Sequence, residues 1–383
     1  DKDHIYATEA LAKANSSATI YVERALAKVD VTATSTTGNL TDSPSVPYTI
    51  KGWILDNTNK KTYYLRNTSD YSGWLSLATN ATAPNKPAKP YRFVGDTPME
   101  SGVSLYRTYW AKDPNYSTTP SPLSTDFSTI GNSAPAALKG LDEHDYCLEN
   151  TFDVPNQNQN VTTRVIVAAQ LKDDGKTFYI VNDDEANLLT SDGMKDAVKA
   201  AFLSNTDVQA WLKTQLNSGM SIDKSDLEVA DITDAGNNTP TITIKSTSSS
   251  KFTGSAVPAF TTDIDNIVKA IKVATYKNGI SYYPVRIKHF GDDLTPWKKT
   301  ETPEPTVSAG AYPTTNQPGN YLGRYGVLRN NWYTINVEGI KKIGSPVVPE
   351  VTGDPDDEMA AYISVKINVL SWAKRTQGAT LGE

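Results

Sequence analysis

One segment near the C-terminus constrains the fold most, because its apolar residues alternate with polar ones. Residues 361–372 read AYISVKINVLSW, the pattern of a β-strand with one apolar face. The residues predicted to share that face are Ile363, Val365, Ile367 and Val369. Left unpaired, such a strand exposes its backbone and its apolar face to aggregation, so it must pair. The pattern leaves two partners open: a sheet of its own chain, or a neighbouring copy that receives the strand.

The rest of the chain is predicted to be mainly β-structure. The sequence has 20 Tyr and 7 Trp, and 22 Pro and 23 Gly interrupt it. Aromatic and β-branched runs separated by turn residues are typical of short strands. Because 38% of the residues are hydrophobic, the chain can build a substantial core. We therefore expect an all-β fold with minor helices and long loops.

Local patterns predict particular strands and hairpins. Strands are expected at residues 19–31, 281–290 and 332–343, the second of them interrupted by Pro284. The predicted hairpins are 48–55 with 62–66, joined by the turn-forming DNTNKK, and 162–181, folded around Asp174-Gly175.

A helical insertion is predicted near residues 191–217. Apolar residues recur there with a spacing near 3.6 over residues 192–203 and 207–216. The expected capping residues are Ser191 or Asp192 for the first helix, and Thr206 or Asp207 for the second.

Charge and cysteine content exclude several classes of partner and site. The net charge of −6 disfavours nucleic acid or an anionic membrane as the main partner. No run approaches the roughly 20 apolar residues that a membrane helix needs, so no membrane span is expected. Cys147 is the only cysteine, which excludes an intramolecular disulfide and predicts a small buried side chain. His144 lies three residues away, on the opposite face of an extended segment.

We do not expect an enzyme, a cofactor or a metal site. His4, His144 and His289 are far apart in sequence, and none has the spacing of a metal-binding pair. The sequence contains no nucleophile elbow, phosphate-binding loop or dinucleotide fingerprint. Carboxylate pairs such as Asp183-Asp184 and Asp356-Asp357 fall in predicted turns or tethers, where such groups are usually solvated.

Several stretches, taken in order, carry a resemblance to a known family. They are YVERALAKV at Tyr21, GWILDNTNKKTYYLRN at Gly52, YRTYWAKDPNY at Tyr106, YCLENTFD at Tyr146, TTRVIVAA at Thr162, YKNGISYYPVRIKH at Tyr276, GRYGVLRNNWYTINVEGIKKIGSP at Gly323 and AYISVKINVLSW at Ala361. In this order they resemble the Bacteroidales fimbrillins, the subunits of type V pili. The resemblance is closest to the class that forms the shorter, minor fimbriae.

The resemblance implies a structural, polymerising subunit. It implies transthyretin-like β-sandwich domains and a lipoprotein precursor that is exported through the outer membrane to a cell-surface fimbrium. An arginine-specific protease would release an N-terminal strand, and the C-terminal strand of another subunit would fill the groove by donor-strand exchange. The residues expected to anchor that detachable strand are Ile363, Val365, Ile367, Val369, Leu370 and Trp372. Expected partners are other copies of the chain, accessory fimbrial subunits, and host or bacterial surface receptors in adhesion and biofilm formation.

The resemblance also suggests a division into domains. In the family the YVERALAKV strand falls late in the N-terminal domain, whereas here it begins at Tyr21. Most of that domain is therefore expected to be absent or abbreviated. The expected parts are 1–35, the end of an N-terminal β-sandwich domain; 36–47, a linker; 48–344, a C-terminal β-sandwich domain; 345–360, an acidic Pro-rich tether; and 361–383, the donor-strand segment.

Two other functions remain open from the residues: a surface glycan-binding β-sandwich protein, and an accessory tip adhesin of the same pilus. The aromatic side chains that would stack on sugars are Trp53, Trp74, Trp110 and Trp297. Glycan binding predicts a row of exposed aromatic rings, whereas a pilus subunit predicts that these rings are buried and that the terminal strand leaves its own domain.

Overall fold

The fold is seen in a computed structural model of the chain. The structure describes residues 6–14, 24–65, 99–100, 103–104, 113–114, 126–131, 135, 137–151, 158–172, 174–233, 241–288, 325–353, 363–370 and 374–381. Residues 99–100, 103–104, 230–233, 241–244, 363–370 and 374–381 are described by their backbone.

Strands dominate the described residues. They are β1 Leu26–Ala33, β2 Thr37–Asn39, β3 Pro47–Asp56, β4 Thr58–Asn59, β5 Met99–Glu100, β6 Val103–Ser104, β7 Phe127–Ser128, β8 His144–Leu148, β9 Arg164–Leu171, β10 Phe178–Val181, β11 Leu227–Thr233, β12 Thr241–Ser246, β13 Val273–Tyr276, β14 Ile280–Arg286, β15 Trp332–Ile340, β16 Ile363–Leu370 and β17 Lys374–Leu381. The α-helices of the described residues are α1 Glu9–Ala14, α2 Ser191–Ser204, α3 Thr206–Gln215 and α4 Thr262–Ala270. The predicted all-β class with minor helices is confirmed.

Two sheets form the body of the protein. The described strands of the larger sheet follow the order β16-β17-β15-β1-β8, and those of the smaller follow β14-β9-β3-β2. The sheets face each other across one apolar core, because alternate residues of their strands point inward. The fully buried residues of that core include Val29 and Val31 of β1, Trp53 of β3, Val165 and Val167 of β9, and Ile335 of β15. The arrangement is a β-sandwich, whose transthyretin-like topology stays a prediction.

Strand β9 is the most enclosed strand of the smaller sheet. It pairs with β3 on one side and with β14 on the other. Val165 and Val167 face the core between the sheets, while Ile166 and Ala168 pack in a second apolar cluster on the opposite face. A strand buried on both faces carries a continuous apolar run, and RVIVAAQL is such a run.

A helical layer lies beside the sandwich and has its own apolar cluster, built on α2, α3 and α4. Helix α2 begins after Thr190, whose hydroxyl accepts a hydrogen bond from Gly193 N at 3.3 Å. Helix α3 begins after Asn205, whose side chain accepts from Asp207 N and Val208 N. The two predicted helices are confirmed, and their caps lie one residue before the earlier of the two expected positions.

Both predicted hairpins are wrong. Strand β10 pairs with β13 rather than with β9, because β3 and β14 occupy both edges of β9. Residues 62 and 63 are not in a strand, and β3 pairs with β2 and β9 instead. At the end of β3 the chain turns at Asn57, whose φ of 55° takes it out of the strand.

The other predicted strands are located as follows. β1 and β15 confirm the strands expected within 19–31 and 332–343, and β14 confirms the one containing Pro284. Pro284 has no backbone N–H, and β14 is an edge strand of the smaller sheet, where such a residue is tolerated. β1 pairs with β15 and β8, while β2 lies within the expected linker. The boundaries of the expected domains stay a prediction.

Candidate assembly site

Strand β15 connects the body of the sandwich to the C-terminal part of the chain. It runs parallel to β1 on one side and parallel to β17 on the other. Its residues Tyr333, Ile335 and Val337 are almost completely buried in the core between the sheets. The strand is therefore fixed by the body along one edge and by the C-terminal segment along the other.

The C-terminal strands form an antiparallel hairpin, which we call the terminal hairpin (β16 and β17). Its register runs from Ile363 opposite Leu381 to Leu370 opposite Lys374. In turn β17 pairs with β15, from Trp332 beside Lys374 to Ile340 beside Leu381, with a bulge between Val337 and Gly339. The terminal hairpin therefore extends the larger sheet of its own chain at one end, and in this structure the terminal strand does not leave its own domain, contrary to the expectation for a pilus subunit.

The structure places five of the six predicted anchor residues in β16: Ile363, Val365, Ile367, Val369 and Leu370. Trp372 lies outside the described residues. Val365, Ile367 and Val369 are in register with Ala379, Gln377 and Arg375 of β17, and through them with Val337, Ile335 and Tyr333 of β15. The predicted apolar positions of β16 thus match the rows of the sheet that β15 uses for the core. Their role as anchors in a second subunit stays a prediction.

Strand β17 was missed by the sequence reasoning, although it makes the backbone contact with β15. Its sequence, KRTQGATL, has neither the alternation nor the β-branched content that revealed β16. The signal that could have found it is its position in the chain. A three-residue gap follows β16, which is short enough for a hairpin connection.

A root segment, defined here as residues 345–349, lies in the chain between β15 and the terminal hairpin. Ser345 exchanges two backbone hydrogen bonds with Tyr282 of β14, at 2.8 and 3.0 Å. Val348 is fully buried against Ile166 and Ala168 of β9. The residue before this segment is Gly344, where a Cβ atom would lie 2.6 Å from Tyr282 O, so glycine permits the close approach. The first residues of the expected tether are thus held against the smaller sheet.

A buried ion pair holds the end of the root segment. The Arg164 guanidinium lies 2.7 Å from the Asp56 carboxylate, and both side chains are almost fully buried. Arg164 also donates a hydrogen bond to Pro349 O, and Asp56 accepts one from Ile130 N. Burial lowers the pKa of Arg164, and the Asp56 carboxylate opposes that shift. This pair ties β3, β9 and the root segment together.

Of the aromatic residues proposed for glycan binding, Trp53 lies among the described residues, so its exposure can be compared with the prediction. Trp53 is fully buried, and its indole N–H donates to Gly140 O at 3.0 Å. Trp74, Trp110 and Trp297 lie outside the described residues. A surface cavity of about 510 Å³ does exist on the outer face of the larger sheet, lined in part by Tyr146 and Trp332. One face of the Trp332 ring is covered by Lys28 Nζ, 3.8 Å from the ring centre, and is not open for stacking.

Cys147 of β8 is buried, as predicted, and His144 on the opposite face is exposed. Burial raises the pKa of the thiol to about 12, with a smaller contribution from Asp145, so the thiol stays protonated near neutral pH. In the part of the chain that the structure describes, no group of three or more His, Cys, Asp or Glu side chains could hold a metal ion. No helix among the described residues is long and apolar enough to cross a membrane.

These features define a class: a β-sandwich protein whose C-terminal hairpin completes one sheet by pairing with a single body strand. Comparison with known families makes the class more specific. Residues 309–378 match the family described as major fimbrial subunit protein type IV, fimbrillin, C-terminal. A search of curated proteins gave no match.

The matched region includes β15, the root segment, β16 and most of β17. It supports the recognition of the chain as a fimbrillin, and the family's description is that of a major fimbrial subunit.

Proposed function

We propose that the chain is a stalk subunit that polymerises by donor-strand exchange, with its C-terminal segment inserted into a neighbouring copy. The observation that carries the proposal is the position of the family match, which covers the strand with alternating apolar residues and the body strand to which its hairpin is attached. A subunit that propagates a chain needs both a donor segment and a site that accepts one.

The wider function follows from polymerisation. Such a subunit is made as a lipoprotein precursor, is exported through the outer membrane, and forms the shaft of a fimbrium that supports adhesion and biofilm formation. Its partners are other copies of the chain and accessory subunits, with host or bacterial surface receptors contacted by the finished fibre. The family match over residues 309–378, rather than a ligand pocket, supports this proposal.

Charge substitution in β16 tests the donor role. Val365→Asp with Ile367→Asp places two carboxylates at the predicted anchor positions, where burial in a second subunit is strongly unfavourable. We expect the purified variant to remain a soluble monomer and to lose the ladder of heat-labile, SDS-resistant oligomers that assembled subunits give on a gel.

The matched control is Ser364→Asp with Asn368→Asp, at the alternate positions of the same strand. It adds the same charge and should keep the ladder. If the anchor variant still forms the ladder, β16 is not the donor. If its monomer unfolds, β16 is an essential part of the fold of its own chain and not a strand that is free to leave it.

A further inference from the structure

Residues 277–279 form the turn that leads from β13 into β14, and they contain the only Asn-Gly pair in the sequence. Asn278 has a φ of 53° and Gly279 a φ of 71°. Both values lie in the left-handed region, which glycine and asparagine tolerate best. A Cβ atom at residue 279 would also lie 2.6 Å from Leu171 O. The fold therefore requires glycine at position 279 and favours asparagine before it.

An Asn-Gly pair carries chemistry of its own. The backbone nitrogen of the glycine attacks the side-chain amide carbon of the asparagine, and a succinimide ring forms. The bond from that carbon to the amide nitrogen breaks, and ammonia leaves with the proton of the attacking nitrogen. Water then opens the ring at one of its two carbonyl carbons, which gives aspartate or isoaspartate. Glycine favours the attack because it has no Cβ that shields its nitrogen.

The side chain of Asn278 is available for this reaction. It is exposed, and the hydrogen bonds of this residue with described partners are made by its backbone. Asn278 N donates to Thr177 Oγ1 at 3.2 Å, and Asn278 O accepts from Gln170 Nε2 at 2.9 Å. These bonds hold the main chain of the turn, whereas no described residue holds the side-chain amide.

Asn182 offers a comparison at the opposite end of the two-stranded ribbon formed by β10 and β13. It is exposed and has a φ of 52°, so its exposure and backbone resemble those of Asn278. Its side-chain oxygen, however, accepts a hydrogen bond from Lys272 N at 3.1 Å, and the next residue is Asp183. Asn182 is therefore held by a partner and followed by a residue with a side chain, whereas Asn278 has neither restraint.

We propose that Asn278 is a site of spontaneous deamidation in the folded protein. The reaction consumes one water molecule, releases ammonia and adds one negative charge to the turn before β14. It needs no enzyme, and it proceeds whether or not the chain polymerises. The isoaspartate product adds a carbon atom to the main chain beside Gly279, which is packed closely against Leu171 O. Because Ile280 begins the pairing of β14 with β9, that product should loosen the start of β14.

Timed incubation of the full-length chain tests the site. Samples held at mildly alkaline and at mildly acidic pH are digested with pepsin in acid, and the peptide masses are measured. We expect the peptide containing Asn278 to gain the mass difference between an amide and a carboxylic acid. The gain should be faster at the higher pH, because the attacking nitrogen must lose its proton. The peptide containing Asn182 should change much more slowly, and Asn278→Asp should show no gain at residue 278.

Asp183→Gly is the matched variant. It places glycine after Asn182, at a position whose φ of 59° suits glycine, while Lys272 N still holds the Asn182 side chain. We expect Asn182 in this variant to react more slowly than Asn278 in the same chain. Equal rates would show that the Asn-Gly sequence is sufficient, and would contradict the effect assigned to the unrestrained side chain.

The chain unfolded in urea is the reference for the chemistry, because no turn restrains either residue there. If the peptide containing Asn278 gains no mass in the folded protein, whether or not it does so in urea, the proposal is wrong. If it does gain mass, the isoaspartate fraction is separated and its thermal unfolding is compared with that of Asn278→Asp. We expect a lower Tm for the isoaspartate fraction, and equal Tm values would contradict the loosened start of β14.

Discussion

Strands β9 and β16 are both apolar, yet the protein uses them in opposite ways. β9 is paired along both edges, by β3 and β14, and is buried on both faces. β16 lies at the end of the described order of the larger sheet and pairs with β17. The sequences already differ: β9 has a continuous apolar run, whereas β16 alternates. A strand that is paired along both edges and buried on both faces has no open edge for another strand. A strand at the end of a sheet has one open edge, which can pair with another strand.

The root segment connects the body, which contains β9, with the terminal hairpin, which contains β16. It is attached to β9 through Val348 and Arg164, and it leads towards β16. The boundary between the body and the connection to the terminal hairpin is therefore set by specific contacts rather than by the Pro-rich composition of the connection.

Removal of the Asp56 carboxylate should have the largest effect on stability. Asp56→Ala leaves the Arg164 charge buried without its partner, and we expect the free energy of unfolding to fall by about 3–5 kcal/mol. Urea unfolding followed by tryptophan fluorescence measures it. The control is Lys272→Ala, which removes an ion pair with Asp183 whose side chains are both about 70% exposed. That loss should stay within about 1 kcal/mol, and equal losses would contradict the view that the pair locks the framework.

The same substitution, isoleucine to alanine, made once in β9 and once in β16 tests the comparison between the two strands directly. Ile166→Ala in β9 removes a fully buried side chain, and we expect a loss of about 2–5 kcal/mol in unfolding free energy. Ile367→Ala in β16 should cost the monomer clearly less, while weakening assembly. Chemical denaturation of both monomers gives the two values. Similar losses would mean that the terminal hairpin is as much a part of the framework as β9.

The smallest effect is expected in the helical layer, far in sequence from both strands. Lys251 lies 2.6 Å from the Asp226 carboxylate, and Ser248 donates to it as well. These bonds, with that from Asp223 N, lower the pKa of Asp226 to about 2. Because the folded pKa lies below the unfolded value, this stabilisation is present above about pH 4 and is lost as the pH falls towards 2.

Asp226→Asn should therefore lower stability at neutral pH by about 1.5–3 kcal/mol and flatten the loss of stability between pH 4 and 2. Thermal unfolding across that pH range measures both effects. Assembly at neutral pH should be retained, which separates loss of stability from loss of the proposed donor role of β16. A variant with an unchanged acid profile would show that Asp226 is not the group responsible.

Local sequence patterns were sufficient to predict much of the secondary structure but less of the pairing between strands. The alternation at Ile363 and Val365 was sufficient to predict β16, and the 3.6-residue spacing was sufficient to predict α2 and α3. The hairpin expected around Asp174-Gly175 failed because the strand before it had both edges occupied by distant segments. β17 was not recognised because its polar sequence contains no periodic signal.

By itself, the sequence determined that residues 363–370 form a strand, that Cys147 is buried, and that strands outnumber helices among the described residues. These properties depend on the spacing of apolar side chains along the sequence and on their hydrophobicity, and both are set by residues close together in the chain. Only the tertiary structure decided that β17 lies between β15 and β16, and that Arg164 holds the root segment. The reason is that the two-residue alternation of a strand shows which side chains share a face, but not which other strand pairs with it. The neighbour depends on which edges remain open after segments far apart in the sequence have packed.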